Sequence, residues 1–428
     1  MDNGLTFPRF ATTSLREALG DTPVVVIQGA RQVGKSTLAH AVRPPSDDIV
    51  VVTLDDPLTR AQAEQDPAFF VTQAGHGTLV IDEAQRVPSL ILPLKASVDR
   101  DRRPGRFLLT GSADLLRVKG VGDSLAGRAE TIELKPFSQG ELARRKTPED
   151  FVHWILGDPE PGRFSPLEPK RVIAGGYPVP AQRTARRAAS WFDAYIDRLA
   201  DHDASELATR GYSVSMRKLL ELIAVGGQQE VVPAKVARTL GISPTTVDSY
   251  LRQTSVMRLI TVLPPWTRSL RGRVARRPKI GLNDTGLSAA LTQFTIEKAL
   301  TLGGREYYGA LVEQFVVQEL AKQRTWSQER FSLYHYRELD GLEVDLIVEL
   351  ADGRLLAIEV KSSQSPTERS WRNLVRFRER VPDRDVTGVC FYTGTQVGRI
   401  ADWLHLLPVT SLWEHADNEF STTQTRDL

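Results

Sequence analysis

Residues 24–37, VVVIQGARQVGKST, constrain the fold more than any other part of the chain. They begin with a continuous apolar run, which is typical of a strand covered on both faces. The spacing Gly29-x-x-x-x-Gly34-Lys35-Ser36 then matches a P-loop, in which backbone N–H groups and a helix N-terminus bind phosphate oxygens. An ordinary glycine-rich turn is the simpler interpretation. Because strand, motif and apolar helix occur together, the segment predicts a site for a nucleoside triphosphate.

The residues of this loop have distinct predicted roles. Lys35 would reach the β- and γ-phosphates, and Ser36 would place its hydroxyl on Mg²⁺. Gly34 lets the backbone approach the phosphates closely. ATP and Mg²⁺ are therefore the expected cofactors. The predicted contacts with the nucleotide are Gly29, Arg31, Gln32, Val33, Gly34, Lys35, Ser36, Thr37 and Thr110.

A second apolar strand, residues 77–83, ends in two acids. Asp82 would hold Mg²⁺, and Glu83 would orient and polarise the attacking water. An apolar strand ending in Asp-Glu is a weak signal alone, but it becomes strong when it follows a complete P-loop. A further strand, residues 106–110, would end beside it, so that either Thr110 or Ser112 could hydrogen-bond the γ-phosphate or the water. The alternative is a polar turn into the next helix.

Composition limits the class of protein. The chain has 428 residues, 41% of them hydrophobic and 25% charged, as expected for a soluble protein of about three domains. Its net charge is only +2, so nucleic-acid binding would need local clusters of cations. The single cysteine, Cys390, excludes an internal disulfide. The first residues lack a signal-peptide pattern, and no run of roughly 18 apolar residues occurs. We therefore expect a cytoplasmic protein that does not associate with a membrane.

Five segments carry a resemblance to a known family. GARQVGKST, LVIDEAQ, LLTGS, LAGR and LKPFS, in this order, resemble the amino-terminal ATPase domain of a widespread group of prokaryotic AAA+ ATPases. The carboxyl-terminal domain of that group is largely uncharacterised and resembles restriction-endonuclease-like PD-(D/E)XK folds. RVIAGGYP, WFDAYIDRLADHDASEL and RRPKIGLNDTGL are similar to the middle region of the group. The resemblance covers nearly the whole chain and implies architecture more than biological role.

The resulting fold prediction is an α/β chain of four segments. Residues 1–145 would form the parallel-sheet AAA+ P-loop domain and residues 146–210 a helical linker or lid. Residues 211–295 would form a winged-helix-like module, and residues 296–428 a nuclease-like α/β domain. The Gly- and Pro-rich residues 157–162 are a predicted hinge.

Arg128 is the predicted catalytic arginine. It lies beside Gly127, and arginine suits the charge that spreads over the γ-phosphoryl oxygens in the transition state. The side chain could act within its own chain or on a neighbouring subunit of a homo-oligomer. A surface arginine is the alternative.

The middle module predicts a helix-turn-helix. Helices are expected at residues 217–225, 233–240 and 244–255, and a wing is expected from residue 259. The helix 244–255 has only Arg252 as a cation, together with Asp248, which is a poor set for reading bases. Residues 266–279 contain no acid, and the cations in them are Arg268, Arg271, Arg273, Arg276, Arg277 and Lys279. Specific DNA readout, non-specific contact with DNA or RNA backbones and docking onto another domain all remain open.

The last domain predicts a nuclease-like core. Residues 308–323 read as an amphipathic helix, residues 343–350 and 355–360 as a hairpin, residues 386–392 and 406–413 as further strands, and residues 371–380 as a basic helix. Glu359 and Lys361 should share one face of their strand, and Asp345 on the partner strand can join them. This set resembles the PD-(D/E)XK core, with Glu313 as a fourth member.

Such a core would use bound metal ions to cleave phosphodiester bonds. Asp345, Glu359 and Glu313 would hold Mg²⁺, and Lys361 would stabilise charge on the scissile phosphate. The same residues could instead form an ion-pair network in a catalytically silent domain. Two functions therefore stay open. The first is an ATPase that couples turnover to the handling of DNA or RNA, and the second is a nucleotide-switched interaction scaffold.

Overall fold

The computed structural model describes residues 7–42, 48–111, 125–157, 159, 163–207, 212–269, 272–273 and 276–415. They form two compact units. The first comprises Met1–Phe137, Arg144–Lys146 and Val256–Arg258, and the second comprises Ser138–Ala143, Thr147–Ser255 and Leu259–Leu428. The finer division into four segments stays a prediction, and most of the predicted hinge lies outside the described residues. In these parts of the chain, no helix is long and apolar enough to cross a lipid bilayer.

The first unit is built on five parallel strands. They are β1 Val24–Gln28, β2 Ile49–Thr53, β3 Thr78–Asp82, β4 Phe107–Gly111 and β5 Ala129–Glu133, in the order β2-β3-β4-β1-β5. β1, β3 and β4 are buried at every position, as predicted for apolar runs covered on both faces. Because β4 lies between β1 and β3, the carboxyl ends of these three strands meet at one edge of the sheet.

Helices cover this sheet, and one of them has a side-chain N-cap. The carboxylate of Asp56 accepts a hydrogen bond from the backbone N–H of Thr59 at 2.8 Å and caps the helix that follows it. The helices of the first unit are Ala11–Asp21, Lys35–Ala41, Pro57–Gln65, Pro67–Phe70 and Ile91–Arg100, with short 3₁₀ turns at Ala84–Arg86 and Pro88–Leu90.

The second unit contains a small three-stranded sheet. Its strands are β6 Gln229–Glu230, β7 Ile260–Leu263 and β8 Lys279–Leu282, antiparallel and in the order β6-β8-β7. Three helices precede or alternate with these strands along the chain, Tyr212–Gly226, Pro233–Leu240 and Pro244–Val256. β8 is therefore the central strand and β7–β8 is a hairpin with a long connection.

The larger sheet of the second unit has six strands. They are β9 Phe331–Arg337, β10 Glu343–Leu350, β11 Leu355–Lys361, β12 Val386–Tyr392, β13 Gly398–Ala401 and β14 Leu404–Pro408, in the order β13-β14-β12-β11-β10-β9. β9, β10 and β11 form an antiparallel meander, and β12 pairs with β11 in parallel. The helix Arg305–Gln323 precedes the meander and the helix Arg372–Arg380 connects β11 to β12. The other helices of this unit are Gln139–Leu142, Phe151–Leu156, Pro169–Ala174, Pro178–Ala181, Ala185–Leu207, Thr285–Leu291 and Ile296–Ala299.

The predicted strand at residues 406–413 is wrong in its second half. β14 ends at Pro408, and residues 411–415 are helical. The Ser411 hydroxyl donates to the carbonyl oxygen of Pro408 at 2.7 Å, which turns the chain at this point. The apolar residues after Pro408 are buried by this helical segment, so an apolar run alone did not distinguish strand from helix.

The predicted amphipathic character of the helix Arg305–Gln323 is also wrong. Thirteen of its nineteen residues are buried, including several polar ones. The amide nitrogens of Gln314 and Gln318 both donate to the carbonyl oxygen of Leu282, at 2.9 and 2.7 Å. Gln323 accepts from the N–H of Phe151 at 2.8 Å. Each of these three glutamines is thus buried with a backbone partner for its side chain.

The buried Asp284 side chain connects two of the segments that resemble the AAA+ group. Its carboxylate accepts from the N–H of Leu287 at 3.1 Å, which caps the helix Thr285–Leu291, and from the N–H of Gly176 at 2.7 Å. Gly175 has φ +66°, and a Cβ there would lie 2.1 Å from Asp284 Oδ1. The segments RVIAGGYP and RRPKIGLNDTGL are therefore held together by one buried carboxylate.

A second buried carboxylate, Glu149, lies near two other acids, Glu319 and Glu141. Glu149 is completely buried, and its carboxylate packs on Gly140, where an added Cβ would lie 2.0 Å from Oε2. Burial, assisted by the nearby charge of Glu319, raises the pKa of Glu149 to about 8. The folded protein therefore keeps a proton on Glu149 that the unfolded chain releases above its ordinary pKa of 4.5.

This proton makes stability depend on pH in a defined direction. Since the native state binds the proton more tightly, the free energy of unfolding should fall as pH rises from 4.5 to about 8. Glu149→Gln keeps the shape without the titration, so its stability should fall less over this range. Urea unfolding of both proteins between these pH values measures the difference. Parallel curves for the two proteins would contradict the assignment.

Candidate functional site

The glycine-rich loop connects the carboxyl end of β1 to the helix Lys35–Ala41. Gln32 and Gly34 both have left-handed backbone conformations, with φ of +66° and +95°. At Gly34 no atom would contact an added Cβ, so glycine is needed there for its conformation and not for space. Of the other predicted contacts, Arg31 and Thr37 are exposed and the side chain of Val33 is buried in the core. Only the backbone of Val33 can therefore face a ligand.

Glycine is needed at position 29 for a different reason, which is the lack of space for a side chain. An added Cβ would lie 2.2 Å from the carbonyl oxygen of Leu134. The N–H of Leu134 also donates to the carbonyl oxygen of Gln28 at 2.7 Å, immediately after β5. Gly29 thus allows the backbone after β5 to approach the start of the loop, and its predicted contact with phosphate stays a prediction.

Lys35 lies inside the loop. Its ammonium donates to the carbonyl oxygens of Gly29 and Ala30, at 3.1 and 3.0 Å. Burial lowers the pKa of Lys35 to about 8, although Glu83 and Asp82 act in the opposite direction. Both hydrogen bonds given for the ammonium go to neutral carbonyl groups, so an anionic ligand in the loop would improve its environment.

The structure brings four predicted residues together at the edge of the sheet. Asp82 Oδ1 accepts from the Ser36 hydroxyl at 2.8 Å and from the Thr110 hydroxyl. The Thr110 hydroxyl oxygen in turn accepts from the N–H of Glu83 at 3.1 Å. Glu83 has φ +56°, and Gln85 donates to its carboxylate. Ser112, the alternative to Thr110, lies outside the described residues.

This edge fits Mg²⁺ bound with a nucleotide. A hydroxyl and a carboxylate 2.8 Å apart are the protein ligands that a P-loop ion uses, while phosphate oxygens and water complete the six positions. Among the described residues, no three His, Cys, Asp or Glu side chains are grouped as a metal site. A P-loop ion needs no such group.

Arg128 is not brought to this edge. Its carbonyl oxygen accepts from the N–H of Val24 at 3.2 Å, so it lies at the amino end of β1. The loop follows the other end of β1, roughly 16 Å away at about 3.3 Å per residue. The guanidinium pairs with Asp99 at 2.7 Å. The structure therefore contradicts catalytic assistance within the chain, and a role toward a neighbouring subunit stays a prediction.

Two arginines that sequence reasoning missed support the loop. Arg9 donates to the carbonyl oxygens of Val33 at 3.2 Å and of Lys135 at 2.8 Å, and it is largely buried. Arg258, in the short segment assigned to the first unit, donates to Gln28 Oε1 at 2.8 Å. No local motif marks either residue, because both partners are distant in the sequence.

The predicted nuclease-like residues form ion pairs in the second unit. The Val360 N–H donates to Asp345 Oδ2 at 2.9 Å, and the Lys361 ammonium pairs with Glu359 at 2.5 Å. Glu359 is buried, and burial raises its pKa, with a further increase from Asp345. Asp345, Glu359 and Lys361 are thus brought together.

Glu313 has a different partner from the one predicted. The buried Lys279 ammonium lies 3.1 Å from Glu313 Oε1 and 2.9 Å from Glu343 Oε1. Burial alone would lower the pKa of Lys279, but Glu313, Asp345 and Glu343 outweigh it and raise the pKa well above its ordinary value. A lysine ammonium therefore contacts Glu313, one of the three predicted metal ligands, and a second one, Asp345, acts on its charge. The residues do not fit a ready metal site, and the metal-ligand prediction for Glu313, Asp345 and Glu359 is not supported.

The basic segment is also engaged within the second unit. Arg273 makes two hydrogen bonds with Glu349, at 2.6 and 2.8 Å, and its guanidinium lies 4.7 Å from the centre of the Tyr334 ring. The buried Trp266 donates its indole N–H to Glu349 at 3.2 Å. Glu349 thus fastens this segment to β10.

The remaining arginines of the segment differ. Arg268 pairs with Asp383 at 2.9 Å, and Arg276 donates to the carbonyl oxygen of Arg337 at 2.8 Å. Arg277 is exposed, and Arg271 lies outside the described residues. Of the three interpretations left open by the sequence, these contacts favour docking onto another domain. The prediction that the described arginines grip DNA or RNA is not supported.

The backbone completes this docking. The N–H of Trp266 donates to the carbonyl oxygen of His335 at 2.6 Å, and the N–H of His335 donates to that of Pro264 at 2.9 Å. These bonds cover the outer edge of β9, which would otherwise expose unpaired backbone groups.

The parallel sheet, the glycine-rich loop and the Ser36–Asp82 contact define the class of the first unit as an AAA+ P-loop domain. A family model described as an AAA domain matches residues 21–143. Two models described as domains of unknown function, DUF8612 and DUF4143, match residues 167–298 and 308–412.

The relatives then show the family. Uncharacterized proteins of Mycobacterium bovis and Mycobacterium tuberculosis are each 31% identical over 366 residues, which is 85% of this chain and 76% of theirs. The chain belongs to the same family as these mycobacterial proteins. AMPPCP-bound DnaA from Aquifex aeolicus is 11% identical, with a TM-score of 0.28 over 57% of this chain and 85% of that one. This TM-score is too low to support an argument. The class of the first unit therefore depends on the match to the AAA domain model and on the geometry of the site.

Arg273 should matter for stability and not only for charge. Arg273→Ala leaves Glu349, which is only 16% exposed, without its main counter-charge. We expect the free energy of unfolding to fall by about 2 to 4 kcal/mol. Arg277→Ala removes an exposed cation from the same segment and should change it by less than about 0.5 kcal/mol. Urea unfolding measures both, and equal effects would contradict the docking interpretation.

Proposed function

We propose that the protein binds ATP with Mg²⁺ in the loop of residues 29–37 and hydrolyses it. The observation that carries the proposal is the contact between the Ser36 hydroxyl and Asp82, 2.8 Å apart beside the N-terminus of the helix Lys35–Ala41. A hydroxyl from the loop and a carboxylate from the neighbouring strand are what a nucleotide-bound magnesium ion requires.

The residues around this contact have complementary roles in the proposal. The loop N–H groups and the Lys35 ammonium would bind the phosphate oxygens, and Ser36 and Asp82 would hold the ion. The ion, when bound, neutralises charge on the phosphates. Glu83 would accept a hydrogen bond from the attacking water and orient it, once its carboxylate is free of Gln85.

Thr110 is placed to link the two acids. Its hydroxyl donates to the carboxylate of Asp82, and its oxygen accepts from the N–H of Glu83. A change in the ligands of Asp82 would therefore alter the hydrogen bond that holds the backbone of Glu83. We propose that Thr110 adjusts the position of Glu83 to the state of the nucleotide.

ATP turnover, in this proposal, regulates the interaction of the protein with another macromolecule. The docked basic segment supports this, because the described cations that could have bound nucleic acid are mostly bonded within the second unit. The nuclease-like residues support it as well, because they form ion pairs. The second unit would then be a catalytically silent scaffold.

Handling of DNA or RNA is the second candidate, and topology favours it. Helices Tyr212–Gly226, Pro233–Leu240 and Pro244–Val256 with a β6-β8-β7 sheet follow the order of a winged helix. A helix, a three-stranded meander, a second helix and a parallel strand follow the order expected of a nuclease-like core. Fold alone does not establish either activity.

Hydrolysis can be separated from binding with two substitutions. Lys35→Ala should lower ATP turnover by about a hundredfold or more and weaken binding, since it removes the cation at the phosphates. Glu83→Gln should retain binding and lose turnover, because only the orientation of water is affected. Phosphate release and fluorescent-nucleotide binding measure the two. Lys95→Ala, outside the loop, is the control, and wild-type protein that neither binds nor splits ATP would refute the proposal.

Salt dependence distinguishes the two candidates. The scaffold proposal predicts no steep loss of DNA or RNA affinity with rising salt, and no effect of Arg277→Ala on it. Fluorescence anisotropy with labelled duplex DNA and single-stranded RNA, with and without ATP, measures this. Tight, salt-sensitive binding that Arg277→Ala weakens would favour nucleic-acid handling instead. Cleavage that needs Mg²⁺ and disappears in Asp345→Asn would do the same.

A further inference from the structure

Two carboxylates of the second unit, Glu313 and Glu343, contact one buried lysine, and Asp345 acts electrostatically both on this lysine and on Glu359. We name Glu313, Glu343, Asp345 and Glu359 the carboxylate cluster. Lys279 belongs to a different part of the sequence, the first residue of β8, and its side chain is only 4% exposed. Its ammonium contacts Glu313 and Glu343 at 3.1 and 2.9 Å.

The position of this ammonium is fixed by more than its ion pairs. β8 is the central strand of its sheet and pairs with both β6 and β7. At the other end of β8, the carbonyl oxygen of Leu282 accepts from Gln314 and Gln318, on the helix that carries Glu313. The strand is therefore anchored to this helix at both ends, which keeps the backbone of Lys279 beside Glu313.

An ammonium group can take the place of a metal ion in such a cluster. It is a compact positive charge with three N–H donors, and burial makes it dependent on nearby carboxylates. Removing a buried partner from such a pair leaves uncompensated charge. The contacts of Lys279 thus supply counter-charge to Glu313 and Glu343 within the chain.

We propose that Lys279 is the resident cation of the carboxylate cluster and that it excludes Mg²⁺ and Mn²⁺ from this site. The second unit is then a nuclease-like domain whose acids fasten β8 in place and do not bind a catalytic ion. This inference is independent of ATP hydrolysis, since it concerns residues of the second unit only. It also specifies what would have to change for the domain to bind metal, which is the charge at position 279.

Binding of Mn²⁺ to the full-length chain without nucleotide tests the proposal. Lys279→Gln removes the charge and keeps a polar side chain of similar length, whereas Lys279→Arg keeps the charge. Lys235→Gln, at an exposed position of the same unit, is the matched control for the loss of one cation. Electron paramagnetic resonance counts free and bound Mn²⁺ directly. It therefore reports binding without any nuclease activity.

Lys279→Gln should gain one Mn²⁺ site, at least about tenfold tighter than any site of the wild-type protein. The wild-type protein, Lys279→Arg and Lys235→Gln should lack this site, and adding Glu313→Gln to Lys279→Gln should remove it. A folded Lys279→Gln protein without the new site would overturn the proposal. If that variant does not fold, the wild-type protein decides: a Mn²⁺ site that Asp345→Asn removes would overturn the proposal, and its absence would support it.

Discussion

Burial of residues 314–323, the carboxyl half of the helix Arg305–Gln323, on all sides is the constraint on which the second unit depends. A buried polar group without a partner costs free energy, so the polar residues in this half of the helix require specific neighbours. Glu319 accepts from the N–H of Gln139 at 2.9 Å, and Gln323 donates to the carbonyl oxygen of Leu412 at 2.7 Å. Segments far apart in the sequence are thereby held at defined positions along one helix. The same requirement explains why its polar face is not a solvent face.

The sequence predicted the elements well where the signal is local. The strands predicted at residues 343–350 and 386–392 have the same bounds as β10 and β12, because continuous apolar or alternating patterns specify strands directly. The P-loop could be recognised because the structure of the loop requires its glycines and its lysine at fixed positions in the sequence. The partners of charged side chains could not be predicted in this way. Arg273 and Glu349 are 76 positions apart, and Lys279 and Glu313 are 34 apart.

Strand direction limited the prediction in the first unit. Arg128 was a reasonable catalytic candidate because it lies next to a glycine. Its distance from the loop, however, depends on whether β5 runs parallel or antiparallel to β1. Parallel pairing of β5 with β1 puts that residue at the amino end, whereas the ligand-facing edge is the carboxyl end. Asp82 and Thr110 were easier to place, because both end strands that were recognised in the sequence. Whether a predicted residue lies at the nucleotide-facing edge of the sheet therefore depended more on its position along a strand than on its residue type.

The two buried lysines show how the same side chain can mark an open site or a closed one. Lys35 bonds to neutral carbonyl oxygens, and burial lowers its pKa to about 8. An anion that enters the loop would add a negative charge to those of Glu83 and Asp82, which do not outweigh the burial of this ammonium. Lys279 already has carboxylates around it, and they raise its pKa above the ordinary value. A further cation there would meet a like charge. The first site is therefore electrostatically prepared to accept a ligand, whereas the second is complete within the chain.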